Sequence, residues 1–242
     1  MPTKINTMKN IFLLSLVGLF LISCSGDSKN SMTVNGSIKG LKKGTLYLQQ
    51  LQDTVLVNLD SLEIKGNGDF SFESPIENPD IYYLYLVKND HNDINDRITF
   101  FGEPGIITVD TAWDTFDTSA KITGSKTNEK LEEYKKGMSR YNAKNLEILQ
   151  MRFDPKVNKD SLALDSLIKL SDKNIYRSYA YALNFALNNK DSYIAPYIAI
   201  NEVADANMKY LDSIHKMLTP EVAASKYGKQ LKKYLEDKKK EK

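Results

Sequence analysis

The stretch IYYLYLV at residues 81–87 carries apolar or aromatic side chains on both of its alternating faces. Successive side chains of a β-strand point to opposite faces, so this strand is expected to be covered on both sides, on one of them by helices. Similar short runs lie on either side of it, separated by turn residues such as Gly66-Asn67-Gly68 and Glu103-Pro104-Gly105. The predicted strands are Thr33–Ile38, Thr45–Leu51, Val55–Ile64, Asp69–Glu73, Ile81–Val87, Arg97–Phe101, Ile106–Thr111 and Ala120–Thr123.

The hydrophobic period changes to three and four residues after Ser125, which indicates helices. The first predicted helix carries Leu131 and Tyr134 on its apolar face and ends at Asp154-Pro155. Further apolar stripes span residues 164–187, 193–204 and 211–218, and Thr219-Pro220-Glu221 is a typical helix start. The fold class expected is therefore α+β, with an antiparallel β-sandwich or partly closed barrel followed by a helical extension.

The order of these patterns divides the chain into five segments. The β domain is expected at residues 32–124 and the helical region at 125–235. A signal segment at 1–23 and a polar tether at 24–31 precede them, and a lysine-rich tail at 236–242 is expected to fray into solvent.

Composition excludes several classes of protein and site. The 242 residues are 41% hydrophobic and 26% charged, which is typical of a globular chain. The 33 basic and 31 acidic residues nearly cancel, so no charge excess favours nucleic acid as a partner. The single cysteine, Cys24, excludes an internal disulfide framework, a CxxC redox pair and a cysteine-rich zinc site.

The amino-terminal segment has the features of a targeting signal. Lys4 and Lys9 precede the apolar run Ile11–Ile22, whose 12 residues would span only about 18 Å as a helix, against about 30 Å for a bilayer core. Leu21-Ile22-Ser23-Cys24 resembles the lipobox of bacterial lipoproteins. That resemblance implies acylation of Cys24 with fatty acids such as palmitate, and anchoring in the cell envelope as an outer-membrane lipoprotein on the periplasmic face or the cell surface. Either Met1 or Met8 could be the start.

Several segments of the β half resemble a known family. They are Gly40–Leu48, Leu59-Asp60-Ser61, Gly68–Phe72, Phe101–Gly105, and Ile122–Ser125 with Asn128. Together they resemble domain of unknown function 4369, the amino-terminal domain of Bacteroidota thioredoxin-like envelope lipoproteins, over about residues 32–135. The helical part, with Leu211-Asp212-Ser213 and Tyr227-Gly228-Lys229, resembles the segment that joins this domain to the thioredoxin-like domain. The CxxC pair of that last domain is missing here, so the redox activity of the relatives is not expected.

A few residues could carry chemistry. The oxygen-rich run Asn89–Asp96 could hold calcium, but its spacing does not follow the helix–loop–helix calcium pattern, which favours a solvated hairpin loop. His91 and His215 are the two possible imidazole bases, and we expect a loop residue and a packing residue at a helix boundary, respectively. Glu103 could act as an acid, although its place before Pro104-Gly105 favours a turn.

Two surfaces of the helical half allow alternative interpretations. The aromatic side chains could form a groove for a ligand or a peptide, although aromatics at helical spacing favour a core; they are Tyr176, Tyr179, Tyr181, Phe185, Tyr193 and Tyr197. The lysine-rich end from Lys229 to Lys240 could contact an anionic surface, but interleaved acids favour a solvated helix face.

The chain contains no HExxH or GxSxG motif, and we predict no catalytic residue, metal or cofactor. The function expected is that of a membrane-anchored, non-catalytic binding or interaction module, with an envelope protein as a possible partner. Two alternatives remain open. One is an accessory partner of a thiol–disulfide redox lipoprotein. The other is an envelope hydrolase in which Asp60 or Glu103 meets a second carboxylate at about 5–10 Å.

Overall fold

The computed structural model describes residues 30–88 and 96–240, and contains all eight predicted strands. They are β1 (Ser31–Lys39), β2 (Lys43–Gln52), β3 (Val55–Lys65), β4 (Asp69–Pro75), β5 (Asp80–Lys88), β6 (Asp96–Gly102), β7 (Gly105–Ala112) and β8 (Lys121–Thr123). Most observed strands are one to three residues longer than the hydrophobic patterns that predicted them, because polar residues continue the backbone ladders at the strand ends.

The strands form two four-stranded sheets that are not closed into a barrel. The first sheet has the order β4-β1-β7-β8 and the second the order β3-β2-β5-β6. The predicted antiparallel β-sandwich followed by helices is confirmed, with one exception to the antiparallel pairing: β1 and β7 run parallel, with Met32 opposite Gly105. Gly36 permits their close approach, since a Cβ atom there would lie 1.8 Å from the Val109 carbonyl oxygen.

The two sheets enclose an apolar core. Val34 and Ile107 of the first sheet contribute to it, together with Leu48, Leu84 and Phe100 of the second. These side chains are fully buried, and each stands on the inward-pointing face of its strand. The sandwich therefore has its own hydrophobic core.

Seven helices follow within the described part of the chain. They are α1 (Lys126–Arg152), α2 (Pro155–Asn158), α3 (Ser161–Asn188), α4 (Ile194–Asn201), α5 (Met208–Met217), α6 (Pro220–Ala224) and α7 (Lys226–Lys240). The predicted break at Asp154-Pro155 is confirmed, because Asp154 caps α2. Thr219 and Pro220 start α6 as predicted, although the Thr219 hydroxyl makes no capping hydrogen bond.

The end of the chain differs from the expected frayed tail, because α7 continues through residue 236 to Lys240. Ion pairs stabilise this last part of the helix. Lys239 lies 3.2 Å from a carboxylate oxygen of Asp212 on α5, and Lys240 lies 3.5 Å from one of Asp237.

The helices pack on the outer face of the second sheet at one end of β5. Ile81 and Phe101 of that face belong to the same buried cluster as Leu131 of α1, Ile198 of α4 and Leu231 of α7. The backbone N–H of Phe101 also donates to Asn128 Oδ1 at 2.9 Å. The expectation that helices cover β5 is therefore confirmed at its Ile81 end.

The outer face of β5 is less covered beyond that end. Tyr83 and Tyr85 follow Ile81 on the same face, and both are half-buried. The outer face of β5 therefore passes from the shared core at Ile81 to a partly exposed aromatic surface.

Candidate functional site

A buried carboxylate joins the second sheet to the last helix. Asp80, at the start of β5, has 3% of its surface exposed. Its Oδ1 accepts hydrogen bonds from the Ile81 N–H, at 2.8 Å, and from the Tyr227 hydroxyl. Its Oδ2 accepts from Gln50 Nε2, at 3.0 Å, and from the Lys226 ammonium group. Both oxygens are thus fully used by donors from β2, β5 and α7.

The start of α7 is positioned by the loop before β5. The backbone N–H of Lys226 donates to Asn78 Oδ1 at 3.2 Å, so Asn78 satisfies one of the unpaired donors at this helix end. The Ser225 hydroxyl oxygen accepts from the Gly228 N–H at 3.2 Å. These contacts place Lys226 and Tyr227 directly beside Asp80.

A cavity of about 240 Å³ opens at this junction between sheet and helices, and we call it the junction cavity. Its sheet side is lined by Leu51, Asp53, Asp80, Ile81 and Tyr83. Its helix side is lined by Tyr197, Asn201, Lys226, Tyr227 and Gln230. The lining therefore combines a few aromatic and apolar side chains with carboxylate, amide and ammonium groups.

Three buried or half-buried tyrosines at or beside the cavity, Tyr82, Tyr197 and Tyr227, stay in the neutral, hydrogen-donating form. Burial, followed by the charge of Glu202, raises the pKa of Tyr197 to about 12. Burial and the Asp80 carboxylate raise the pKa of Tyr82 to about 12 and also raise the pKa of Tyr227. None of these hydroxyls is therefore activated as a base at neutral pH.

Asp53 occupies an unusual backbone position on the rim of the cavity. It is the first residue of the turn between β2 and β3, and its φ is 54°, in the left-handed region that few residues other than glycine adopt. Its side chain is exposed and makes no ion pair or hydrogen bond with the residues that the structure describes. The turn thus presents an unpaired carboxylate beside the neutralised Asp80–Lys226 pair.

An aromatic surface continues from the cavity along the second sheet; we call it the tyrosine face, and it consists of Tyr47, Tyr83, Tyr85 and Arg97. The Tyr47 and Tyr85 rings stack with centroids 6.0 Å apart. The Arg97 guanidinium lies 5.7 Å from the Tyr83 ring centroid and 5.1 Å from that of Tyr85. These distances are typical of cation–π contacts, which fix the arginine against the rings. Tyr83 belongs to both the cavity and the tyrosine face.

The carboxylates singled out in the sequence have structural roles instead. Glu103 lies at the start of α1, where its two oxygens accept from the Lys126 N–H at 2.5 Å and the Thr127 hydroxyl at 2.7 Å. It therefore stabilises the positive end of that helix. Asp60 is exposed and accepts from the Ser61 N–H at 2.7 Å. Neither residue lines the junction cavity.

The remaining predicted positions fall in two groups. His215 is half-buried on α5 beside the buried Ile214, as expected of a boundary residue. Cys24, His91 and residues 89–95 of the oxygen-rich run lie outside the described residues, so lipidation of Cys24 stays a prediction. Within the described ranges, no group of three or more His, Cys, Asp or Glu side chains is arranged to hold a metal ion, and no helix has the length and apolarity to cross a membrane.

The aromatic residues singled out in the helical half divide between core and surface. Phe185 is buried, and the rings of Tyr134 and Tyr181 stack with centroids 5.8 Å apart. Tyr197 belongs partly to this core and partly to the junction cavity. Tyr176 is 75% exposed on α3 and lines, together with Tyr179 and Tyr210, a separate cavity of about 400 Å³.

The residues that define the junction were not found by sequence reasoning. Asp80 follows Asn78-Pro79 and precedes an apolar strand, which reads as an ordinary turn. Lys226 and Tyr227 lie about 146 residues further along the chain. An acidic residue at the start of an otherwise apolar strand was the available signal, but nothing local identifies its partners.

The comparison with protein families confirms the resemblance of the β half. Residues 32–131 match the family described as Domain of unknown function (DUF4369). The match covers both sheets and the first turns of α1, and ends before the other helices. No curated protein and no solved structure matches the chain.

Proposed function

We propose that this protein is a lipid-anchored envelope lipoprotein whose junction cavity binds a ligand without catalysis. The observation that supports a binding role is that the Asp80 carboxylate is fully hydrogen-bonded. Two carboxylates, Asp53 and Asp80, line the cavity, but four donors occupy both oxygens of Asp80. A carboxylate used in this way cannot accept a further proton or attack a substrate without breaking the junction.

The geometry favours binding over hydrolysis for a second reason. The hydroxyls of Tyr197 and Tyr227 have raised pKa values, so they serve as hydrogen-bond donors and not as bases. Asn201 and Gln230 on the helix side add amide groups that can both donate and accept. Such groups orient a ligand, which is what a binding module requires.

The anchoring part of the proposal rests on the sequence of the first 24 residues. Lipidation of Cys24 would place the described part of the chain at a membrane. A short polar segment follows Cys24 in the sequence, and the described residues begin within it, at Asn30. Fatty acyl chains stabilise membrane binding by about 0.8 kcal/mol per buried methylene, and more than one chain gives stable anchoring.

Fractionation tests the anchor. The wild-type chain and Cys24→Ala are expressed in the native host, and membranes are washed with high salt. Wild type is expected to remain in the membrane fraction and to incorporate labelled palmitate, whereas the variant is released or accumulates with its signal uncleaved. A cleaved Cys24→Ala chain that stays in the washed membrane as firmly as wild type refutes lipid anchoring.

Affinity purification tests the binding role. Envelope extract is passed over immobilised wild-type protein and over Gln230→Ala, a change at an exposed cavity residue. Tyr176→Ala serves as the control, since Tyr176 is an exposed aromatic outside this cavity. The proposal expects a ligand that wild type and the control retain and the cavity variant loses. Equal retention by all three chains, or by none, refutes it.

A further inference from the structure

We infer that a second copy of this chain docks on the long hairpin of α1 and α3, so that two hairpins pack antiparallel as a four-helix bundle. This inference does not rest on the proposed ligand binding, because the hairpin groove and the junction cavity share no lining residue. Its evidence is an open groove between the two helices, an excess of exposed apolar side chains beside it, and two unpaired charges that complement each other under a two-fold rotation.

Part of the hairpin extends beyond both hydrophobic cores. α1 contributes to the helical core as far as Met138, and α3 contributes to it from Tyr179 onwards. We call residues 139–178 the free end of the hairpin, because none of its buried or partly buried apolar side chains belongs to either core. The free end therefore presents faces of α1 and α3 that neither core covers.

The free end exposes much apolar surface. It holds eight of the sixteen large apolar side chains that are exposed in the described part of the chain. Three of them line a groove of about 520 Å³ between α1 and α3, namely Leu149, Ile168 and Ile175, which are 49%, 55% and 45% exposed. Contiguous apolar surface of this kind is rare on monomers and usually marks an interaction surface.

A buried amide fixes how the two helices are aligned. Asn174 Nδ2 on α3 donates to the Tyr141 carbonyl at 2.9 Å and to Asn145 Oδ1 at 2.6 Å on α1. Residue 174 therefore lies level with residue 145, and the two helices run antiparallel on either side of α2. At about 1.5 Å per residue, Arg152 on α1 lies about 7.5 Å nearer the closed end of the hairpin than Asp172 on α3.

The charges of the groove match those of a second copy. Arg152 and Asp172 both line it, and neither makes an ion pair or hydrogen bond with the residues that the structure describes. A two-fold axis halfway between their levels, close to Leu149, brings Arg152 of each copy to Asp172 of the other when the hairpins are antiparallel. A parallel pair would instead bring like charges together. Charge complementarity therefore favours the antiparallel arrangement, with Leu149 of the two copies in contact at the centre.

The size of the free end sets the expected strength of the dimer. Its helices are about 25 Å long and, side by side, about 20 Å wide, which gives a face of about 500 Å² in each copy. The total of about 1,000 Å² is at the lower limit for a specific protein–protein interface. The dimer is therefore expected to form in the micromolar range and to dissociate on dilution.

Sedimentation equilibrium of the full chain tests the dimer. A detergent matched to the density of the solvent is used, so that the measured mass is that of the protein, at about 1 to 100 μM. Wild type is expected to pass from monomer to dimer, and Leu149→Lys, which brings two like charges together at the centre, should weaken association at least about tenfold. Met151→Lys is the matched control, because Met151 is 40% exposed and lies about 200° further round the same helix; it should leave the dissociation constant within about threefold of wild type.

Exchange of the two charges tests the arrangement. Arg152→Glu and Asp172→Lys are each expected to weaken association about tenfold or more, since each puts like charges into both contacts. Both changes in one chain should restore the dissociation constant to within about threefold of wild type, and an equal mixture of the two single variants should form a mixed dimer. Far-ultraviolet circular dichroism of each variant confirms that it is folded.

Each remaining outcome overturns the inference or part of it. A wild-type chain that is still monomeric at 100 μM refutes the dimer, and so does a dimer that Leu149→Lys leaves intact or that Met151→Lys weakens equally. Loss of association in Leu149→Lys without rescue by the charge exchange refutes the antiparallel arrangement. A monomeric wild type, together with Leu149-dependent binding of the Cys24→Ala chain to phosphatidylethanolamine vesicles, assigns the groove to lipid and refutes a second copy as its occupant.

Discussion

Replacement of Asp80 by alanine should weaken the junction between the sheet and the helices more than any change at an exposed acid. The substitution removes the acceptor of four donors, among them the Lys226 ammonium and the Tyr227 hydroxyl. Breaking a buried ion pair by removing one partner costs about 3–5 kcal/mol, because the other charge stays buried. The Lys226 side chain is 35% exposed, so water can partly solvate it after the change. We therefore expect the free energy of unfolding to fall by about 2–4 kcal/mol.

Two spectroscopic probes follow the two halves of the molecule separately. Trp113 is the single tryptophan of the chain and lies directly after β7, so its fluorescence reports on the sandwich. Circular dichroism at 222 nm reports mainly on the helices. In the wild-type chain the two thermal transitions are expected to coincide, because one buried cluster joins sheet and helices.

In Asp80→Ala the transitions should separate, with the helical one moving down by about 5–15 °C. Asp60→Ala is the matched control, since Asp60 is exposed and accepts only from the neighbouring Ser61 N–H; it should change the free energy of unfolding by less than about 0.5 kcal/mol. Coincident transitions in Asp80→Ala, together with a loss no larger than that of Asp60→Ala, would refute the role assigned to the buried carboxylate.

Three further predictions concern other parts of the chain. The free energy of unfolding should fall as the pH rises from 10 to 12, because burial raises the pKa of Tyr82 and Tyr197 to about 12 and the unfolded chain therefore loses those protons first. Absorbance at 295 nm follows tyrosine ionisation, and circular dichroism follows unfolding. Ionisation of all the tyrosines together well before any loss of circular dichroism would contradict this prediction. Gly137→Ala should destabilise α1 although alanine is the better helix former by about 1 kcal/mol, since its Cβ would lie 1.8 Å from Tyr181 Oη. Tyr181→Phe in the same chain should recover part of the loss in urea denaturation, and no recovery would show that the clash is not the cause. Cys24→Ala should leave the midpoint of thermal unfolding within about 1 °C of wild type, as expected for a residue on a tether, and a larger change would place it in the fold.

The strands and helix boundaries could be predicted because their signals are local. Alternating polarity followed by Gly66-Asn67-Gly68 defines the end of β3 and the start of β4 within a few residues. Asp154-Pro155 likewise ends one helix and starts the next, since proline lacks the N–H that a helix interior needs. Such signals identify an element without any knowledge of its partners.

The pairing of strands and the docking of helices could not be predicted from such local signals. β1 lies beside β7 in parallel, and the register places residues 32 and 105 opposite each other. No turn joins these strands, so nothing in the intervening sequence specifies their pairing. Asp80 was missed for the same reason: its burial depends on Lys226 and Tyr227, which are brought to it by the docking of α7.

The position of the site relative to the family match has a consequence for function. Residues 32–131 include the sheet side of the junction cavity and the whole tyrosine face. Tyr197, Asn201, Lys226, Tyr227 and Gln230, which form the helix side, lie beyond that match. A chain that keeps the sandwich but carries a different helical region would retain the tyrosine face and lose the side chains that form the helix side of the cavity. Under the proposed binding function, the sandwich therefore supplies one side of the cavity, and the helical region determines which ligand the cavity accepts.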